Sequence, residues 1–395
     1  MDITVVGGGG HVGLPLSIAF ANAGQKVLIL DKNEAGLAEI AKGHMPFMEE
    51  GGEEALAEAL ASGNLEMATD PSDKISTGAV IVTIGTPVDE FLNPVNRVVK
   101  ECIDELLPFL KDGQLLILRS TVFPGTSDWL DRYIKSLGRD IRVAFCLERV
   151  VQGKCLEEIK YLPQIVAGSS QDAEDAAAEI FGKLTDQIFR CAPAEAEFAK
   201  LFSNAYRYIE FAAANQFYML AERAGVNFNN VYNAMTQSYP RAQHLPRPGF
   251  AAGPCLFKDT MQLAAYASNE FGLGHHAMLV NEGLVLFLIE KMQEKYDLAS
   301  STVGLLGMAF KANNDDTRSS LSYKMKKMLS LHAKEVLTTD PHVTTDPALL
   351  PLDEVIEESD LLVLCVPHSA YKDLDLRGKP VVDVWSYFDT NTANR

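Results

Sequence analysis

A glycine-rich segment directly after a short apolar strand is the feature that most constrains how this chain folds. Residues 2–6 have the apolar character of a buried strand, residues 7–13 are glycine-rich, and an apolar-periodic stretch follows. Gly8, Gly10 and Gly13 match the spacing G-x-G-x-x-G, in which glycines permit a tight turn and a close backbone approach to a pyrophosphate. This strand, turn and helix predict the start of a Rossmann-type α/β domain.

A second apolar run strengthens this interpretation. Val27-Leu-Ile-Leu ends at Asp31, and an acidic residue at about this distance from the glycines accepts hydrogen bonds from an adenosine ribose. Asp31 favours NAD, although the neighbouring Lys32 leaves NADP open. The pattern therefore predicts a dinucleotide site at Gly8, Gly10, His11, Val12, Gly13 and Asp31.

Composition excludes several classes of function. The chain has 395 residues, of which 47% are hydrophobic and 22% charged, so it is long enough for two or three cores. A formal net charge of −18 argues against nucleic acid or an anionic membrane as a partner. The six cysteines show neither paired spacing nor a Cys-x-x-Cys motif. We therefore expect neither a metal site nor a disulfide framework, and we expect the protein to work in a reducing compartment.

The sequence also bears on location. The N-terminus lacks a basic region and a cleavage site, and the sequence pattern indicates no apolar run as long as a membrane span. We expect a cytoplasmic protein that is neither exported nor bound to a membrane.

Apolar runs alternate with helical patterns along most of the chain. Strands are expected at 80–84, 115–118 and 142–145, as in parallel βαβ units, and a long apolar helix is expected at 196–224. This helix is too apolar to be merely solvated, which predicts burial between domains and between subunits. The predicted α/β fold has two Rossmann-like domains joined by a long central helix and a helical dimerisation region. Its domains are an NAD-binding domain (1–193), a central helical domain (194–298) and a second Rossmann-like domain (299–395). This last domain would bind a different nucleotide or a nucleotide-linked substrate, or would only stabilise a dimer.

One cysteine lies in a setting that suits a reactive thiol. Residues 246–260 are rich in glycine and proline and contain Cys255-Leu-Phe-Lys258-Asp259. If a helix begins after Pro254, the Lys258 ammonium lies near the sulfur and lowers the thiol pKa from about 8.5 toward neutrality. The alternative is a structural cysteine that packs as a small hydrophobic residue.

Six motifs follow one another along the chain: Gly8-x-Gly10-x-x-Gly13-Leu-Pro15, Gly85-Thr-Pro87, Ser120-Thr121-Val-x-Pro124-Gly-Thr126, Glu197-x-x-Lys200-x-x-x-Asn204-Ala-Tyr-Arg207, Cys255-Leu-x-Lys258-Asp259 and Gly307-x-Ala-Phe-Lys311-x-x-x-Asp315-Asp-x-Arg318. In this order they resemble the motifs of the UDP-glucose/GDP-mannose dehydrogenase family over nearly the whole sequence. That family oxidises the C6 hydroxymethyl group of a nucleotide-activated hexose to a carboxylate and uses two NAD per sugar.

The resemblance implies roles for individual residues. Cys255 would add to the intermediate aldehyde, and Lys200 and Asn204, which share a helix face at i and i+4, would stabilise the developing oxyanion. Asp259 would act with Lys200 in proton transfer, and Glu148 would be the base near the thioester.

Further positions follow from the same resemblance. Thr86 and Thr121 would line the cofactor cleft, and Thr121 also counts among the catalytic residues. Arg318, together with Lys258, would contact NAD. Substrate binding would involve Glu148, Lys200, Asn204, Lys258, Lys311 and Arg241, and Arg241 would reach the site of a neighbouring subunit in a homodimer.

The chain departs from the family pattern at two places. Residues 251–254 read Ala-Ala-Gly-Pro where the family has a Gly-Gly pair, and Gln152 replaces a glutamate. The first departure concerns the sugar pocket, and the second concerns nucleotide and sugar contacts more than hydride chemistry. The presence of Lys258 favours neutral hexoses over 2-acetamido sugars.

Two other functions are compatible with a Rossmann domain. A two-electron β-hydroxyacid dehydrogenase also places a lysine and an asparagine on its long helix, but it makes no use of Cys255. A non-catalytic NAD-binding homologue is suggested only by the altered loop before Cys255.

Overall fold

The computed structural model describes residues 1–76 and 78–388, so the end of the predicted second Rossmann-like domain, residues 389–395, lies outside the described residues. The chain forms two compact units that meet in sequence between Ser203 and Asn204. Each unit contains its own sheet. The predicted division into three domains stays a prediction.

The first unit is built on an eight-stranded sheet with the order β3-β2-β1-β4-β5-β6-β7-β8. Its strands are β1 (Ile3–Val6), β2 (Val27–Leu30), β3 (Leu65–Ala68), β4 (Ala79–Val82), β5 (Leu115–Leu118), β6 (Arg142–Phe145), β7 (Gln164–Gly168) and β8 (Ile188–Arg190). Its helices are α1 (Gly13–Asn22), α2 (Glu34–Ala41), α3 (Gly52–Ala61), α4 (Asn96–Leu106), α5 (Thr126–Ser136), α6 (Cys155–Tyr161) and α7 (Gln171–Phe181).

The strands form where apolar residues follow one another without interruption. Because successive side chains of a strand point to opposite faces, Ile3 and Val5 of β1 join one apolar cluster and Val6 joins the other. Helices cover both faces, which suits a sheet whose central strands are buried on both sides. Full burial of each such side chain contributes about 1.5–3 kcal/mol relative to exposure.

The far edge of this sheet was not predicted from the sequence. β7 pairs with β6 antiparallel, through Ala144–Gly168 and Phe145–Ala167, and β8 then pairs with β7 in parallel. The expected pattern of parallel βαβ units therefore stops at β6. The connection between β6 and β7, residues 146–163, contains α6 and returns the chain antiparallel along β6.

The second unit contains a parallel four-stranded sheet with the order β10-β9-β11-β12. Its strands are β9 (Thr302–Leu306), β10 (Glu335–Thr339), β11 (Leu361–Leu364) and β12 (Val381–Val382), and its helices include α9 (Phe228–Thr236), α10 (Leu256–Tyr266), α11 (Gly272–Lys295), α12 (Leu321–Leu329) and α13 (Leu352–Glu358). Two α/β sheets and the intervening helices confirm the predicted fold class.

A long helix, α8 (Pro193–Arg223), carries the chain from the first unit into the second. It begins at a proline. Proline lacks a main-chain N–H, and this costs nothing in the first helical turn, where N–H groups have no acceptor within the helix. Its large apolar side chains are not all covered: Phe202, Tyr206, Phe217 and Leu220 are exposed. Leu273, Leu279 and Leu286 of α11 are exposed as well.

Among the described helices, α11 is long enough and apolar enough to cross a membrane, by length and composition alone. This corrects the expectation that no apolar run reaches that length. The core helix of a globular protein passes the same test. Leu284, Leu288 and Met292 of α11 are buried against β9 and β11 in the core of the second unit.

Candidate active site

The loop after β1 has the shape that a dinucleotide requires. A Cβ atom on Gly13 would lie 2.4 Å from the main-chain oxygen of Gly7, and one on Gly8 would lie 2.7 Å from that of Val5, so both positions exclude any side chain. A Cβ on Gly10 would approach no protein atom closer than 3.4 Å. Space above Gly10 is therefore open for a ligand, and a pyrophosphate fits there at the N-terminus of α1.

Asp31 stands at the end of β2 beside this loop. Its carboxylate accepts hydrogen bonds from the main-chain N–H of Gly9 and of Asn33, each at 2.9 Å. Within the loop, the His11 ring stacks on Phe47 with centroids 4.1 Å apart, and Val12 is the residue before α1. The predicted cofactor residues of this loop and Asp31 thus lie together.

The loops that follow β4 and β5 are joined by side-chain hydrogen bonds. Thr86 Oγ1 donates to the main-chain oxygen of Thr121 at 2.6 Å, and Ser120 Oγ donates to that of Ile84 at 2.6 Å. Both threonines lie at the carboxyl ends of adjacent parallel strands, which is where ligands bind in open α/β sheets.

Glu148 follows β6 and is almost completely buried. Its Oε2 accepts a hydrogen bond from the Arg119 guanidinium, and its Oε1 accepts from the main-chain N–H of Arg149 and of Val150, at 2.6 and 2.9 Å. Arg119 also donates to Gln164 Oε1 at 3.0 Å. The carboxylate is therefore held by a charged partner and by the backbone.

Lys200, on α8, is tied to the same segment. Its ammonium donates to the main-chain oxygen of Glu148. One turn earlier, the buried Glu197 accepts hydrogen bonds from the main-chain N–H of Gly125 at 2.6 Å and of Ser127 at 2.8 Å, and so fills the N-terminus of α5. Burial raises the pKa of the Glu197 carboxyl, against the effect of these donors. Glu197 thus fixes α8 to the loop that contains Thr121.

In the second unit, Cys255 stands directly before the first residue of α10, as the sequence predicted. It is exposed, whereas the other five cysteines, all within the described residues, are half-buried or buried. The positive end of the α10 helix dipole favours negative charge at this position, and the Arg318 guanidinium lies close enough to interact electrostatically with the sulfur. Arg318 was predicted as a cofactor contact, and its nearness to Cys255 was not foreseen.

Asp259 lies one turn into α10 and is fully buried. Asn204 Nδ2 donates to its Oδ2 at 2.5 Å, and the Lys258 ammonium lies 2.8 Å from its Oδ1. Asp259 is therefore held by a hydrogen bond from Asn204 and by an ion pair with Lys258. The sequence suggested the Cys255 thiol as the partner of the Lys258 ammonium. In the structure this ammonium pairs with the Asp259 carboxylate.

The loop before Cys255 is fixed by close packing. The altered residues Ala251 and Ala252 do not have positive φ, so their methyl groups impose no backbone strain. Gly253 has φ +103°, and a Cβ there would lie 2.5 Å from the Phe310 ring. At Ala251 and Ala252 the departure from the family pattern therefore introduces no backbone strain.

Three further predicted residues, Arg318, Lys311 and Arg241, lie in the second unit. Arg318 pairs bidentately with Asp316, at 2.6 to 3.0 Å, and this hydrogen bonding raises the pKa of the guanidinium. The Lys311 ammonium lies 5.8 Å from the centre of the Phe310 ring. Arg241 is exposed in the loop after α9 and donates to the Tyr239 hydroxyl at 3.1 Å. Their roles toward cofactor and substrate stay predictions.

Sequence reasoning assigned no role to Arg119, Gln164 or Glu197. The available signal was a polar residue inside or next to a buried segment: Arg119 directly follows Leu115-Leu-Ile-Leu, and Gln164 opens β7. Across the described ranges, no cluster of three or more His, Cys, Asp or Glu side chains is arranged to hold a metal ion.

Three family models match consecutive parts of the chain. They are described as the NAD binding domain (residues 1–185), the central domain (194–282) and the UDP binding domain (304–390) of the UDP-glucose/GDP-mannose dehydrogenase family. The chain belongs to this family.

Relatives within the family have different substrates in their names. A UDP-N-acetyl-D-mannosamine dehydrogenase of Pyrococcus horikoshii is 31% identical, over 97% of this chain and 95% of the relative. An NDP-N-acetyl-D-galactosaminuronic acid dehydrogenase of Ralstonia nicotianae is 28% identical, over 97% and 96%. The structure of a UDP-glucose dehydrogenase from Pyrobaculum islandicum superposes with a TM-score of 0.91 at 25% identity, over 99% of this chain and 96% of that one.

These matches confirm two expectations. The NAD binding domain of the family is present, and its glycine loop and Asp31 have the geometry that the cofactor requires. The relatives are nucleotide-sugar dehydrogenases, which supports oxidation of a nucleotide sugar with NAD in general terms.

Proposed function

We propose that this protein oxidises the C6 alcohol of a nucleotide-activated hexose to the uronic acid in two steps that pass through a thiohemiacetal and a thioester on Cys255. The net reaction converts the alcohol, water and two NAD⁺ into the carboxylate, two NADH and three protons. Bound NAD supplies the hydride acceptor, held by Gly8, Gly10, Gly13, Asp31 and the loops of Thr86 and Thr121. The observation that carries the proposal is an exposed thiol at a helix N-terminus within this family.

Cys255 makes the second oxidation possible. An aldehyde has no hydride to lose until a nucleophile adds to its carbonyl, and a thiolate adds well near neutral pH. The new carbon–sulfur bond gives a thiohemiacetal, whose oxidation gives a thioester. Water then breaks the carbon–sulfur bond, which releases the carboxylate and returns the thiol. A two-electron β-hydroxyacid dehydrogenase leaves this exposed thiol without a role.

Charged groups near the reacting oxygen have separate tasks in this proposal. Lys200 and Asn204, one helical turn apart on α8, stabilise the oxyanion, and Asp259 moves the proton with Lys200 and water. Glu148 orients the hydrolytic water. If Glu148 acted as the base instead, it would have to take a proton on a carboxylate oxygen that already accepts a hydrogen bond from Arg119 or from the backbone.

A UDP-linked 2-acetamido hexose, with UDP-N-acetylmannosamine first, is the substrate that we propose. The relative that acts on this sugar and the one named for an N-acetylgalactosaminuronic acid both align over almost the whole chain. UDP-glucose is the second candidate, because Lys258 is present and the UDP-glucose dehydrogenase superposes over 99% of the chain.

A homodimer in the cytoplasm is also part of the proposal. Exposed apolar side chains on α8 and α11 support a subunit contact, because exposed patches of this kind commonly mark interaction sites.

The stoichiometry of NADH tests the proposed reaction. With limiting nucleotide sugar and excess NAD, we expect two NADH and one carboxylate per sugar. UDP-N-acetylmannosamine, UDP-N-acetylglucosamine, UDP-glucose and GDP-mannose are compared in parallel, and the expected order of kcat/KM places the first above UDP-glucose. One NADH with an aldehyde or keto product, or no NADH with any of these sugars, contradicts the proposal.

A further inference from the structure

Arg119 is a buried arginine, with 2% of its surface exposed, that directly follows β5 and precedes Thr121 by two residues. Its guanidinium lies over the Phe181 ring, 4.7 Å from the ring centre. Burying such a charge is costly unless it is paired and hydrogen-bonded. No step of the proposed reaction uses Arg119, so its position requires a separate explanation.

The guanidinium connects three strands of the first unit. It donates to Glu148 and to Gln164 Oε1 from one nitrogen, and to the main-chain oxygen of Cys146 at 3.2 Å from the other. The second oxygen of Glu148 accepts from the next two main-chain N–H groups, at 2.6 and 2.9 Å. The segment after β6 is thus fixed to the end of β5 on both its main chain and its side chain.

The same segment holds the catalytic lysine. The main-chain oxygen of Glu148 accepts the Lys200 ammonium, so the place of the ammonium depends on the conformation of residue 148. We propose that Arg119 is a positioning residue that acts through Glu148 to place the Lys200 ammonium. This inference rests on the proposed function, in which Lys200 stabilises the oxyanion.

A double-mutant cycle tests the route from Arg119 to Lys200. Arg119→Ala, Lys200→Ala and the double variant are compared by kcat for NADH formation with the sugar that the wild type oxidises. Arg119→Ala should lower kcat by about 10²-fold in the wild-type background, the size of effect that a displacement of about 1 Å causes. In the Lys200→Ala background the loss should be less than about threefold, because two residues that act as one unit are not additive. Equal losses in both backgrounds overturn the inference.

Chemical rescue gives a second readout that a purely structural role does not change. Removing the side chain of Arg119 leaves a space lined by Glu148, Gln164 and Phe181, into which a guanidinium ion fits. We expect guanidinium chloride, well below denaturing concentration, to restore kcat of Arg119→Ala in a saturable way, and sodium chloride at equal ionic strength to restore nothing. Lack of rescue in the folded variant contradicts the inference.

Arg142→Ala is the matched control. Arg142 lies on the adjacent strand β6, and its side chain pairs with the exposed Asp172 at 3.1 Å. Its loss should leave kcat within about twofold of wild type, since exposed ion pairs contribute little, and guanidinium should not change it. Should Arg119→Ala fail to fold, the cycle uses Arg119→Lys, which keeps the charge but lacks the fork that reaches two partners. Additivity with Lys200→Ala then overturns the inference in the same way.

The wild-type yield separates this inference from the proposed function. A wild type that gives no NADH with any nucleotide sugar contradicts the function. If the wild type gives two NADH per sugar and the losses of kcat in Arg119→Ala and Lys200→Ala are additive in the double variant, only the role of Arg119 is contradicted.

Discussion

Cys255 differs from the other five cysteines in both exposure and electrostatics. Its thiol is exposed at the start of α10 and lies beside Arg318, whereas Cys146, Cys155 and Cys365 are buried. Burial raises the pKa of the Cys146 and Cys365 thiols to about 12 each, which keeps them protonated at neutral pH. Reactivity follows thiolate character and access, so Cys255 is the cysteine best suited to the covalent step that we propose.

Replacement of this sulfur should stop the second oxidation. In Cys255→Ser the hydroxyl is far less nucleophilic near neutral pH, so carboxylate formation should be lost, while NAD binding at Gly8 and Asp31 persists. NADH absorbance and product mass spectrometry measure the first effect, and NAD titration measures the second. Cys191→Ser, in a half-buried thiol, is the control and should turn over normally. Wild-type turnover in Cys255→Ser contradicts the thioester route.

Loss of the Lys200 ammonium should affect the chemical step. Lys200→Ala removes the charged donor that we propose for the developing oxyanion, and losing one such donor costs about 10²–10³ in kcat. The apparent KM for the sugar should change much less. Lys135→Ala, which removes an exposed lysine paired with Asp131, is the control and should leave kcat unchanged. A rise in KM at constant kcat would make Lys200 a binding residue instead.

At this scale the sequence predicted residues that belong to local motifs and missed those that depend on pairing across the sheet. Asn204, Lys258 and Asp259 were named from one helix face and one loop, and the structure brings them together. Arg119 and Gln164 meet only because β5, β6 and β7 are neighbours. No spacing along the chain indicates that contact.

In each sheet an aspartate accepts main-chain hydrogen bonding from the loop that follows the neighbouring strand, but the two aspartates have different further partners. In the first unit, Asp31 after the second strand accepts from the main-chain N–H of Gly9 at 2.9 Å and remains partly exposed. In the second unit, Asp340 follows β10 and accepts from Met308 and Ala309, in the loop after β9, at 2.6 and 2.9 Å. Its carboxylate also meets the buried His368 ring at 3.1 Å. Asp340 therefore anchors a loop instead of offering a free carboxylate to a ribose.

Removing this anchor should destabilise the protein in a pH-dependent way. Burial raises the pKa of the Asp340 carboxyl, but His368 and the backbone donors outweigh burial and hold the pKa below its usual range. Such a group stabilises the fold above its unfolded pKa of about 3.9 and loses that contribution as pH falls toward the folded value. Asp340→Asn should cost about 1–3 kcal/mol at neutral pH.

Thermal unfolding from neutral to acid pH measures this difference. The difference in Tm between wild type and Asp340→Asn should have its largest value above about pH 5 and should decrease below about pH 4. Asp353→Asn, in an exposed pair with Arg377 at 3.2 Å, is the control and should change Tm little at any pH. A gap that widens on acidification contradicts the assignment.

Elements were predictable where an apolar run alone decides the structure. The predicted strands at 115–118 and 142–145 coincide with β5 and β6, and the helix expected after Pro254 is α10. β7 and β8 were missed, because a polar residue, Gln164, opens β7, and β8 (Ile188–Arg190) is only three residues long, too short for an apolar run. The antiparallel pairing of β6 and β7 leaves no periodic signal in the sequence.

For the whole molecule, the exposed apolar side chains of α8 and α11 make a second copy of this chain the partner to test. Tyr206 is 63% exposed and Leu279 is 62% exposed, on helices that also bury a full apolar stripe within the second unit. Large apolar side chains on two helices are more than a solvated surface requires. Arg241, exposed in the loop after α9, is then available to a neighbouring subunit.

Complementation between inactive variants tests whether subunits share a site. If Arg241 serves the neighbouring site, Arg241→Ala and Cys255→Ala chains should each be inactive alone, yet a heterodimer of the two has one site with both residues intact. Random exchange makes half of the dimers heterodimers, so mixing should recover about a quarter of the wild-type activity. Two affinity tags on the two chains verify that exchange has occurred. Verified exchange without recovered activity would place Arg241 in its own subunit's site or outside any site, because no heterodimer then gains a complete set of residues.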